Sequence, residues 1–497
     1  MEKIVSSRVM RESDEYTCAN ITSSCELMYR AGKGIYESIE NWGKTAVVCG
    51  AGNNAGDGYV VAKLLYEHGG DATIFLLSDK FSESGRYYFD MCAEMGVKTE
   101  KCTAETSFSG FDTVLDCIFG TGFHGEVRGL AAEIIDKINE SGAYVVSADI
   151  NSGLSADSGT SKKCVRSDLT VSVGSYKYGH FLGMAKDVMR EKKNIDIGIE
   201  VRGEYAILAE KEDFAKLLKP RLNASNKGSY GYVGIMGGCR EYSGAVKLAA
   251  MGASALRSGC GVAKIIVPES IAASVAPWLL EATLLPMRDE AGHIIFDKAA
   301  LDAALSGLAA LSVGMGWGKS PENAKILEYI LAEKELPLII DADGLNTLAG
   351  MEKSLLKSAK CRVVLTPHPK EFERISGVPV AEVLENPVEN AKAFARKYGV
   401  ILLLKGASTV VTDGEVTYIC DRGSAGMATA GSGDVLSGVL TGLLGYMEYS
   451  PLPVALGAYL AGSAGELVAE EYTQIAMTAG DTAKMLPKVW KLLLEKK

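Results

Sequence analysis

The sequence predicts an α/β protein made of two tandem three-layer domains, each with a parallel sheet covered by helices on both faces. Short apolar runs rich in β-branched residues alternate with helical stretches through both halves of the 497-residue chain. The runs are apolar throughout, which is typical of strands buried on both faces of a parallel sheet. The 55 glycines cluster after these runs, where a strand must turn sharply into the next helix.

The first half begins with a predicted helical region and continues with alternating strands and helices. Residues 1–40 are expected to be helical, because Leu27, Ala31 and Ile35 recur at the spacing of one helix face. Buried strands are predicted at 45–49, 72–77, 113–119, 144–150 and 169–173.

The second half repeats this alternation after a break. Between about 190 and 230 the charge rises and the apolar content falls, which predicts one domain at 1–208 and a second at 209–497. Strands are predicted within 232–238, 262–269, 311–318, 336–344, 362–369 and 400–414. A glycine-rich turn then runs into a helix at 424–445.

Composition excludes several classes of protein. The chain has 52 Lys and Arg against 62 Asp and Glu, a formal charge of −10, which disfavours binding to nucleic acid or to an anionic membrane. Eleven scattered cysteines without a C-x-x-C pair fit free thiols in a reducing compartment. The charged N-terminus lacks the apolar core of a signal peptide, and no unbroken apolar run reaches the ~18 residues of a membrane span. A cytoplasmic protein is expected.

The first candidate ligand-binding motif is GAGNNAGDGY at 50–59. It follows a predicted strand and begins a helix. Its glycines permit close backbone approach, and the helix start offers free N–H groups to a phosphate. Asn53, Asn54 and Asp57 add side-chain oxygens, unlike a dinucleotide-binding fingerprint. The alternative is a polar strand-to-helix turn.

Two other strand ends in this half carry polar side chains. Asp116 lies inside an apolar strand, while Asp149 ends the next strand and Ser152 follows it. An aspartate in an apolar strand is costly unless it is paired or bound to a cation. Asn54, Asp116 and Ser152 offer only oxygen ligands, which suit a hard cation. Each of them alone could be a cap or turn residue, but together they predict one site.

The segments ELMYRAG, GNNAGDG, LDCIFGTGFHGEVRG and ADINSG resemble the N-terminal domain of bifunctional NAD(P)H-hydrate repair enzymes, over about residues 8–190. The resemblance implies a Rossmann-like epimerase that interconverts the R and S forms of hydrated NADH and NADPH (NADHX and NADPHX). It implies substrate contacts at Asn53, Asn54, Ala55, Gly56, Asp57, Gly120, Thr121, Gly122, Phe123, His124, Gly125, Glu126 and Asp149, with K⁺ held by Asn54, Asp116 and Ser152. Asp149 is the candidate catalytic acid/base. The sequence departs from the family pattern at Ala55, Asn151 and Glu126, where glycine, proline and aspartate are usual.

The second half carries a motif around the start of its glycine-rich helix. Gly431 and Gly433 flank Ser432, and Asp434 follows in the first helical turn. Such a helix start binds phosphate, and a carboxylate beside phosphate makes sense as a base for a hydroxyl that attacks a terminal phosphoryl group. Alternatively, Asp434 merely complements the helix dipole. No GxxxxGK[ST] pattern occurs, which excludes a P-loop.

Three further loops after predicted strands bear candidate ligand contacts. His368 stands between two prolines that stiffen its loop, so we expect it to face a ligand, although a surface histidine in a rigid turn is the alternative. Lys405 ends a strand and precedes small hydroxyl residues, a plausible setting for a nucleotide. Asp341 and Asp343 could hold Mg²⁺ or cap the next helix.

The segments NKGSYGYVGIMGG, GMGWG, DADGLN, TPHPKEF, KGASTV and AGSGD resemble the ADP- or ATP-dependent NAD(P)H-hydrate dehydratases, over nearly all of 210–497. The resemblance implies a ribokinase-like fold and use of Mg²⁺ with ADP or ATP. It implies that Ala253, Gly316, His368 and Asp434 face the hydrated dinucleotide, and that Lys405, Gly406, Ala407, Ser408, Thr409 and Gly433 face the adenine nucleotide.

Together the two resemblances imply a bifunctional repair enzyme. Phosphate is a far better leaving group than hydroxide, so phosphorylation of the ring hydroxyl followed by loss of phosphate would restore NAD(P)H from the S form. The epimerase would salvage the R form. The expected partners are these small molecules and further copies of the chain, with no nucleic acid and no membrane. Two alternatives stay open: a ribokinase-like small-molecule kinase, and an N-terminal module that binds nucleotide without catalysis.

Overall fold

The structure, a computed structural model, describes residues 2–251 and 257–495. It divides into two compact units, one formed by Glu2–Ala206 and the other by the chain from Ile207 onward. Each unit has its own sheet and its own apolar core, and helices and strands alternate in both. The predicted α/β class is confirmed.

The N-terminal unit is built on a parallel sheet. Its strands are β1 Lys3–Val5, β2 Thr45–Cys49, β3 Ala72–Leu76, β4 Lys98–Lys101, β5 Thr113–Cys117, β6 Tyr144–Ala148, β7 Ser167–Val173, β8 Tyr176–Lys177 and β9 Met189–Ile195. Its helices are α1 Ser7–Asn20, α2 Ser24–Tyr36, α3 Asn53–Glu67, α4 Glu83–Met95, α5 Leu130–Asn139 and α6 Ala185–Val188. The sheet order is β4-β3-β2-β5-β6-β7-β9, and β1 pairs with β8.

Both faces of this sheet are buried. Ala46 and Val48 of β2 pack in a cluster with α5, whereas Val47 and Cys49 pack in a second cluster with α2, α3 and α4. Successive side chains of a strand point to opposite faces, so a strand with a helical layer on each side needs apolar residues throughout. This is why the unbroken apolar runs identified the strands.

The C-terminal unit also has a largely parallel sheet. Its strands are β10 Ala206–Leu208, β11 Tyr232–Met236, β12 Val262–Pro268, β13 Thr283–Met287, β14 Asp289–Glu290, β15 His293–Ile294, β16 Ala310–Val313, β17 Pro337–Ile340, β18 Arg362–Leu365, β19 Ile401–Leu404, β20 Thr409–Thr412 and β21 Thr417–Cys420. The order is β13-β12-β11-β16-β17-β18-β19-β20-β21-β10. Strands β19, β20 and β21 pair antiparallel, so the run predicted at 400–414 is a hairpin.

Helices surround that sheet. They are α7 Lys211–Phe214, α8 Ser243–Ala250, α9 Glu269–Val275, α10 Lys298–Leu305, α11 Pro321–Glu333, α12 Asp343–Ala349, α13 Ser354–Lys357, α14 Pro369–Ser376, α15 Val380–Glu385, α16 Pro387–Tyr398, α17 Ser432–Leu444, α18 Pro451–Ala476 and α19 Ala479–Leu494. By length and composition α18 could cross a membrane, but 72% of its most apolar window is buried inside the unit. Together with α17 it supplies the centre of the C-terminal core.

The structure differs from the sequence prediction at charged edges and at one helix break. Strands β4 and β9 were not predicted, because they lie at the two edges of their sheet and carry the charged sequences KTEK and MREKKNI. The short strands β1, β8, β10, β13, β14, β15 and β21 were not predicted either. Residues 1–40 form a short strand and two helices, not one helical region. Ser6 and Ser23 each accept a backbone N–H at a helix start, so each begins a helix of its own.

Candidate active sites

A cleft of ≈ 670 Å³ lies at the carboxyl ends of the strands in the N-terminal unit, where parallel sheets bind their ligands. The start of α3, the loop after β5 and the residue after β6 line it, together with α1 and α2. It brings together Asn53, Asn54, Asp57, Gly120, Thr121, Gly122, Phe123, His124 and Asp149 from the predicted set.

Four predicted contacts lie away from the walls of this cleft. Ala55 and Gly56 are buried in α3, and a Cβ at Gly56 would stand 2.3 Å from Met28 Sδ. That glycine therefore lets α3 pack closely on α2. Gly125 and Glu126 are exposed farther along the loop, where Glu126 pairs with Lys162.

Asp149 is held by two residues of the YKYGH segment that the sequence analysis did not single out. Its Oδ1 lies 2.5 Å from Nζ of Lys177, which is almost wholly buried, and its Oδ2 accepts the backbone N–H of Thr121 at 3.2 Å. His180 Nδ1 accepts the N–H of Lys177 at 2.9 Å. His180 Nε2, 2.7 Å from the Asp149 carbonyl oxygen, therefore carries the ring proton and donates it.

These contacts hold Asp149 in an uncommon backbone conformation. Its φ is +64°, in the left-handed region that costs energy for residues other than glycine. Burial alone would raise the pKa of Asp149, but the Lys177 ammonium holds it below its ordinary value. Burial lowers the pKa of His180 to about 4, so this ring is neutral near pH 7. The result is an ionised carboxylate aimed into the cleft.

Asp57 has the opposite electrostatic environment in the same cleft. Burial raises its pKa well above the ordinary value, and the neighbouring carboxylates of Asp149 and Asp14 raise it further. Asp14 lies on α1 and lines the cleft, and the sequence analysis did not identify it. One cleft therefore holds a carboxyl that favours its neutral form and another that favours its charged form.

Asp116, Ser152 and Asn54 meet beside the cleft. Asp116 is fully buried and accepts hydrogen bonds from the backbone N–H and the hydroxyl of Ser152, at 2.9 and 2.5 Å. Ser152 Oγ in turn accepts the N–H of Phe119, whose carbonyl accepts Asn54 Nδ2 at 3.1 Å. Burial raises the pKa of Asp116.

One oxygen of this group is unsatisfied. Asn54 Oδ1 is buried and has no hydrogen-bond partner among the described residues, a costly state that an oxygen-preferring cation would relieve. The described chain contains no cluster of three or more His, Cys, Asp or Glu side chains suited to a metal. The oxygen atoms of Asn54, Asp116 and Ser152 are of the kind that a hard cation prefers, although both Asp116 oxygens also accept hydrogen bonds from protein groups.

Asn151, one of the departures from the family pattern, has a structural role. It is fully buried, and its amide donates to the carbonyl oxygens of Val165 and Val188 at 2.9 and 3.0 Å. Its Oδ1 accepts the Thr170 hydroxyl at 2.6 Å. The asparagine thus connects the turn after β6 to the residues just before β7, to β7 itself and to the end of α6.

The C-terminal unit gathers its polar residues at the carboxyl ends of β17, β18 and β19. Asp341 follows β17 and is buried, Lys405 follows β19, and the Nζ of Lys405 lies 3.0 Å from Asp341 Oδ1. Ser437 of α17 donates to Asp341 Oδ2 at 2.8 Å. A Cβ at Gly433 would stand 3.4 Å from both Asp341 Oδ2 and Lys405 Nζ. The glycine-rich start of α17 therefore lies against this ion pair.

Asp434 lies in the first turn of α17. Burial and the nearby carboxylate of Asp341 raise its pKa to about 7, against the opposing effect of Lys405. Ser432 Oγ, just before it, is buried without a partner among the described residues. A carboxyl that titrates near neutrality at a helix start is equipped to take a proton.

His368 both caps a helix and exposes its ring. Its Nδ1 accepts the N–H groups of Lys370 and Glu371 at the start of α14, at 3.1 and 3.3 Å. The side chain is 45% exposed and its Nε2 lies 3.6 Å from Glu371 Oε2. Glu371 also lies 3.7 Å from Lys405, so it belongs to the polar cluster that the sequence analysis identified only in part.

The remaining predicted residues of this unit differ in accessibility. Gly406 and Ala407 are exposed, whereas Ser408 is buried and donates to Asp421 at 2.7 Å. Thr409 begins β20. Gly316 is buried, with Tyr242 O 2.5 Å from where its Cβ would stand. Ala253 lies outside the described residues.

The acidic pair Asp341 and Asp343 is engaged by protein groups. Lys405 and Ser437 occupy Asp341, while Asp343 accepts the N–H of Gly318 at 2.8 Å. Asp343 also begins α12. The N-terminal cleft and the C-terminal polar cluster each lie at the strand ends of a parallel sheet. Together they define a two-unit α/β enzyme.

Comparison with known families agrees with this class. The NAD(P)H-hydrate dehydratase family matches residues 233–488, and the family described as YjeF-related protein N-terminus matches residues 24–179. A bifunctional NAD(P)H-hydrate repair enzyme from Moorella thermoacetica is 36% identical, over 97% of this chain and 94% of that protein. The chain belongs to the family of bifunctional NAD(P)H-hydrate repair enzymes, which confirms the resemblance found in the sequence.

Solved structures resemble the C-terminal unit. The ADP/ATP-dependent NAD(P)H-hydrate dehydratase from Bacillus subtilis, co-crystallised with ATP and Mg²⁺, is 28% identical with a TM-score of 0.51, over 58% of this chain and 99% of that one. A ribokinase-like superfamily protein from Enterococcus faecalis is 23% identical with a TM-score of 0.51, over 58% of this chain and 96% of that one. The second likeness identifies the fold as ribokinase-like.

Proposed function

We propose that residues 1–208 epimerise R- and S-NAD(P)HX, and that residues 209–497 dehydrate S-NAD(P)HX to NAD(P)H at the expense of ADP or ATP, with release of phosphate. Family membership over nearly the whole chain supports this assignment. So do two separate sites, each built at the strand ends of its own sheet. We place the enzyme in the cytoplasm, as a homo-oligomer.

The observation that carries the dehydratase assignment is Asp434 beside the glycine-rich start of α17, with a pKa raised by burial to about 7. A base with such a pKa is about half ionised at neutral pH and still accepts a proton well. Asp434 removes the proton of the ring hydroxyl while the hydroxyl oxygen attacks the terminal phosphorus. The bond between that phosphorus and the nucleotide breaks as the new bond forms. The phosphate group then leaves the ring carbon as inorganic phosphate, and the neighbouring ring carbon loses a proton to solvent, which restores the ring double bond.

Several groups would hold the reactants. Gly316, His368 and Asp434 border the hydrated ring, and Ala253 is assigned there by resemblance alone. The nucleotide is assigned to Lys405, Gly406, Ala407, Ser408, Thr409 and Gly433, of which Ser408 contributes through its backbone because its hydroxyl is engaged by Asp421. Mg²⁺ bound with the nucleotide would offset phosphate charge. The Bacillus relative was co-crystallised with ATP and Mg²⁺, which supports this assignment.

The epimerase assignment depends on the cleft of the N-terminal unit. Asp149, kept ionised by Lys177, is the proposed acid/base. Residues 53–57 and 120–126 are the proposed substrate contacts. Of these, Ala55 and Gly56 lie buried in α3 behind the cleft wall, and Gly125 and Glu126 lie exposed farther along the loop. Asn54, Asp116 and Ser152 would hold K⁺, and the buried, unpartnered Asn54 Oδ1 supports this.

An absorbance assay tests the dehydratase half of the proposal. Purified S-NADHX is incubated with the full chain and ADP or ATP, and recovery of the dihydronicotinamide absorbance is followed together with phosphate release. The proposal expects both signals in equal amounts and neither without nucleotide. A stable phosphorylated product without recovery of absorbance would instead show a small-molecule kinase.

A further inference from the structure

Two carboxylates reach the N-terminal cleft from either side of its central strand. Asp57 lies on α3, which follows β2, and Asp149 follows β6. Strands β2 and β6 both pair with β5, and the loop after β5 lines the cleft with them. A ligand over that loop therefore has one carboxyl on each side.

The two carboxyls differ in their hydrogen-bond partners. Asp149 is engaged by Lys177 and by the Thr121 N–H, and the His180 ring bonds its backbone. Asp57 is 9% exposed, and its carboxyl oxygens accept no hydrogen bond from, and form no ion pair with, the described residues. Its carboxyl is free to bond a ligand group.

We propose that Asp57 is the general acid of the epimerase and acts together with Asp149 as the general base, an inference that rests on the proposed epimerase function. Hydration of the dihydronicotinamide ring places the hydroxyl on the carbon beside the ring nitrogen, so the nitrogen lone pair can expel it. Asp57 gives its proton to the departing hydroxyl, the carbon–oxygen bond breaks, and the nitrogen forms a C=N bond with that carbon.

A water molecule on the opposite face then completes the inversion. It forms a new bond to the same carbon, and its proton passes to Asp149. One water leaves and one enters, so the ring composition is unchanged. The proton gained by Asp149 returns to Asp57 through cleft water, and in the reverse direction the two carboxyls exchange roles.

The electrostatics of the cleft support this division. The groups that act on Asp57 are Asp149 and Asp14, which raise its pKa, and Lys177, which lowers it, all of them secondary to burial. Asp149 is acted on by burial, Lys177, His180 and the Thr121 N–H, with its pKa held low. Environments that push the pKa values of two neighbouring carboxyls apart are the usual sign of an acid/base pair.

The test measures conversion of R-NADHX to S-NADHX by the full chain without nucleotide, after subtraction of the enzyme-free rate. Asp57→Asn keeps the size and polarity of the side chain but removes its acid function. We expect kcat to fall by ~10²–10⁴-fold, with KM within a few-fold. Asp57→Glu should recover part of kcat. As a control, Asp90→Asn removes a half-exposed carboxylate of α4 that lies outside the cleft, and it should leave kcat unchanged.

A second measurement follows the oxygen atom. Wild-type turnover in heavy-oxygen water should place one labelled oxygen in each epimerised molecule, and kcat should fall as the pH rises through the pKa of Asp57. Retention of the original oxygen, a flat alkaline limb, or near-normal kcat in Asp57→Asn would overturn the assignment. These wild-type readouts decide the matter even if Asp57→Asn fails to fold. A wild-type rate equal to the enzyme-free rate would instead refute the epimerase function.

Discussion

The Nζ of Lys405 lies 3.0 Å from Oδ1 of the buried Asp341, next to the glycine-rich start of the helix that carries Asp434. A buried carboxylate would be costly alone. Here Lys405 and the Ser437 hydroxyl compensate its charge. Because Asp341 stays charged, the carboxyl of Asp434 a short distance away is less easily ionised. The ion pair therefore contributes both to the stability of the site and to the tuning of its base.

The substitution Asp434→Asn is expected to abolish dehydration while leaving nucleotide affinity within a few-fold. Loss of a general base typically costs ~10²–10⁴-fold in rate. Dehydration is measured by recovery of dihydronicotinamide absorbance, and binding by calorimetry with ATP and Mg²⁺. Near-normal turnover would remove Asp434 from the mechanism.

The same substitution should also stabilise the C-terminal unit. The folded-state pKa of Asp434 is about 7, raised above the ordinary value of 3.8, so its contribution to stability is complete below ~4 and is lost as the pH rises through ~7. The neutral amide avoids that loss. Asp434→Asn should therefore melt at a higher temperature than wild type above neutral pH, and at a similar temperature at acidic pH.

The rate of dehydration should depend on pH through Asp434. A general base acts in its ionised form, so kcat should fall as the pH drops through about 7, the value to which burial raises the pKa of this carboxyl. Burial lowers the pKa of His368 below its ordinary value of 6.5, so the two groups are distinguishable. A His368→Gln variant should keep the midpoint, and a midpoint that vanished in this variant would assign the titration to the histidine.

Removing one partner of the buried ion pair should lower the free energy of unfolding much more than removing one partner of a surface ion pair. Lys405→Met leaves Asp341 buried without its cation, which typically costs ~3–5 kcal/mol. In the same unit Lys360 lies 3.5 Å from Glu333 with both side chains about half exposed, and Lys360→Met should cost ~1 kcal/mol or less. Urea unfolding of both variants measures the difference, and equal losses would contradict it.

How far the sequence predicts this molecule depends on whether a residue stands out from its local pattern. Asp116 was identified because a carboxylate is unusual inside an apolar strand. Asp434 was identified because a carboxylate is unusual at a glycine-rich helix start of the kind that binds phosphate. Lys177 was not, because its partner Asp149 lies 28 residues away and only the fold brings them together. Asp14 was missed for a similar reason, since on α1 it resembles any solvated helical aspartate.

The strands show the same limit at the level of the fold. Central strands such as β2 are buried along their whole length and are almost entirely apolar, so the pattern alone predicts them. The edge strand β4 is fully exposed and charged. Its pairing with β3 depends on the backbone, which no pattern of side chains reveals.

The N-terminal unit should fold and act without its neighbour. It has its own sheet and core, so the fragment 1–208 is expected to unfold cooperatively and to accelerate conversion of R-NADHX to S-NADHX. Circular dichroism during melting and chromatographic separation of the two epimers measure these properties. A folded fragment that gives only the spontaneous rate would support a binding module without catalysis.

Potassium should stabilise the N-terminal unit through Asn54. Its Oδ1 is buried without a partner in the described chain, and a bound K⁺ would satisfy it together with Asp116 and Ser152. Mass action then predicts a melting temperature that rises with K⁺ but not with a bulky organic cation at the same ionic strength. Asn54→Ala should remove this dependence.

The companion variant Asp116→Ala should also lower the melting temperature and weaken substrate binding. It removes the charge, and it leaves the backbone N–H and the hydroxyl of Ser152 without their acceptor. Dehydration by the C-terminal unit should be unaffected in both variants, since its site lies in a separate core. A melting temperature that is the same with potassium and with the organic cation would show that Asn54 Oδ1 is satisfied by water, and no cation site would remain.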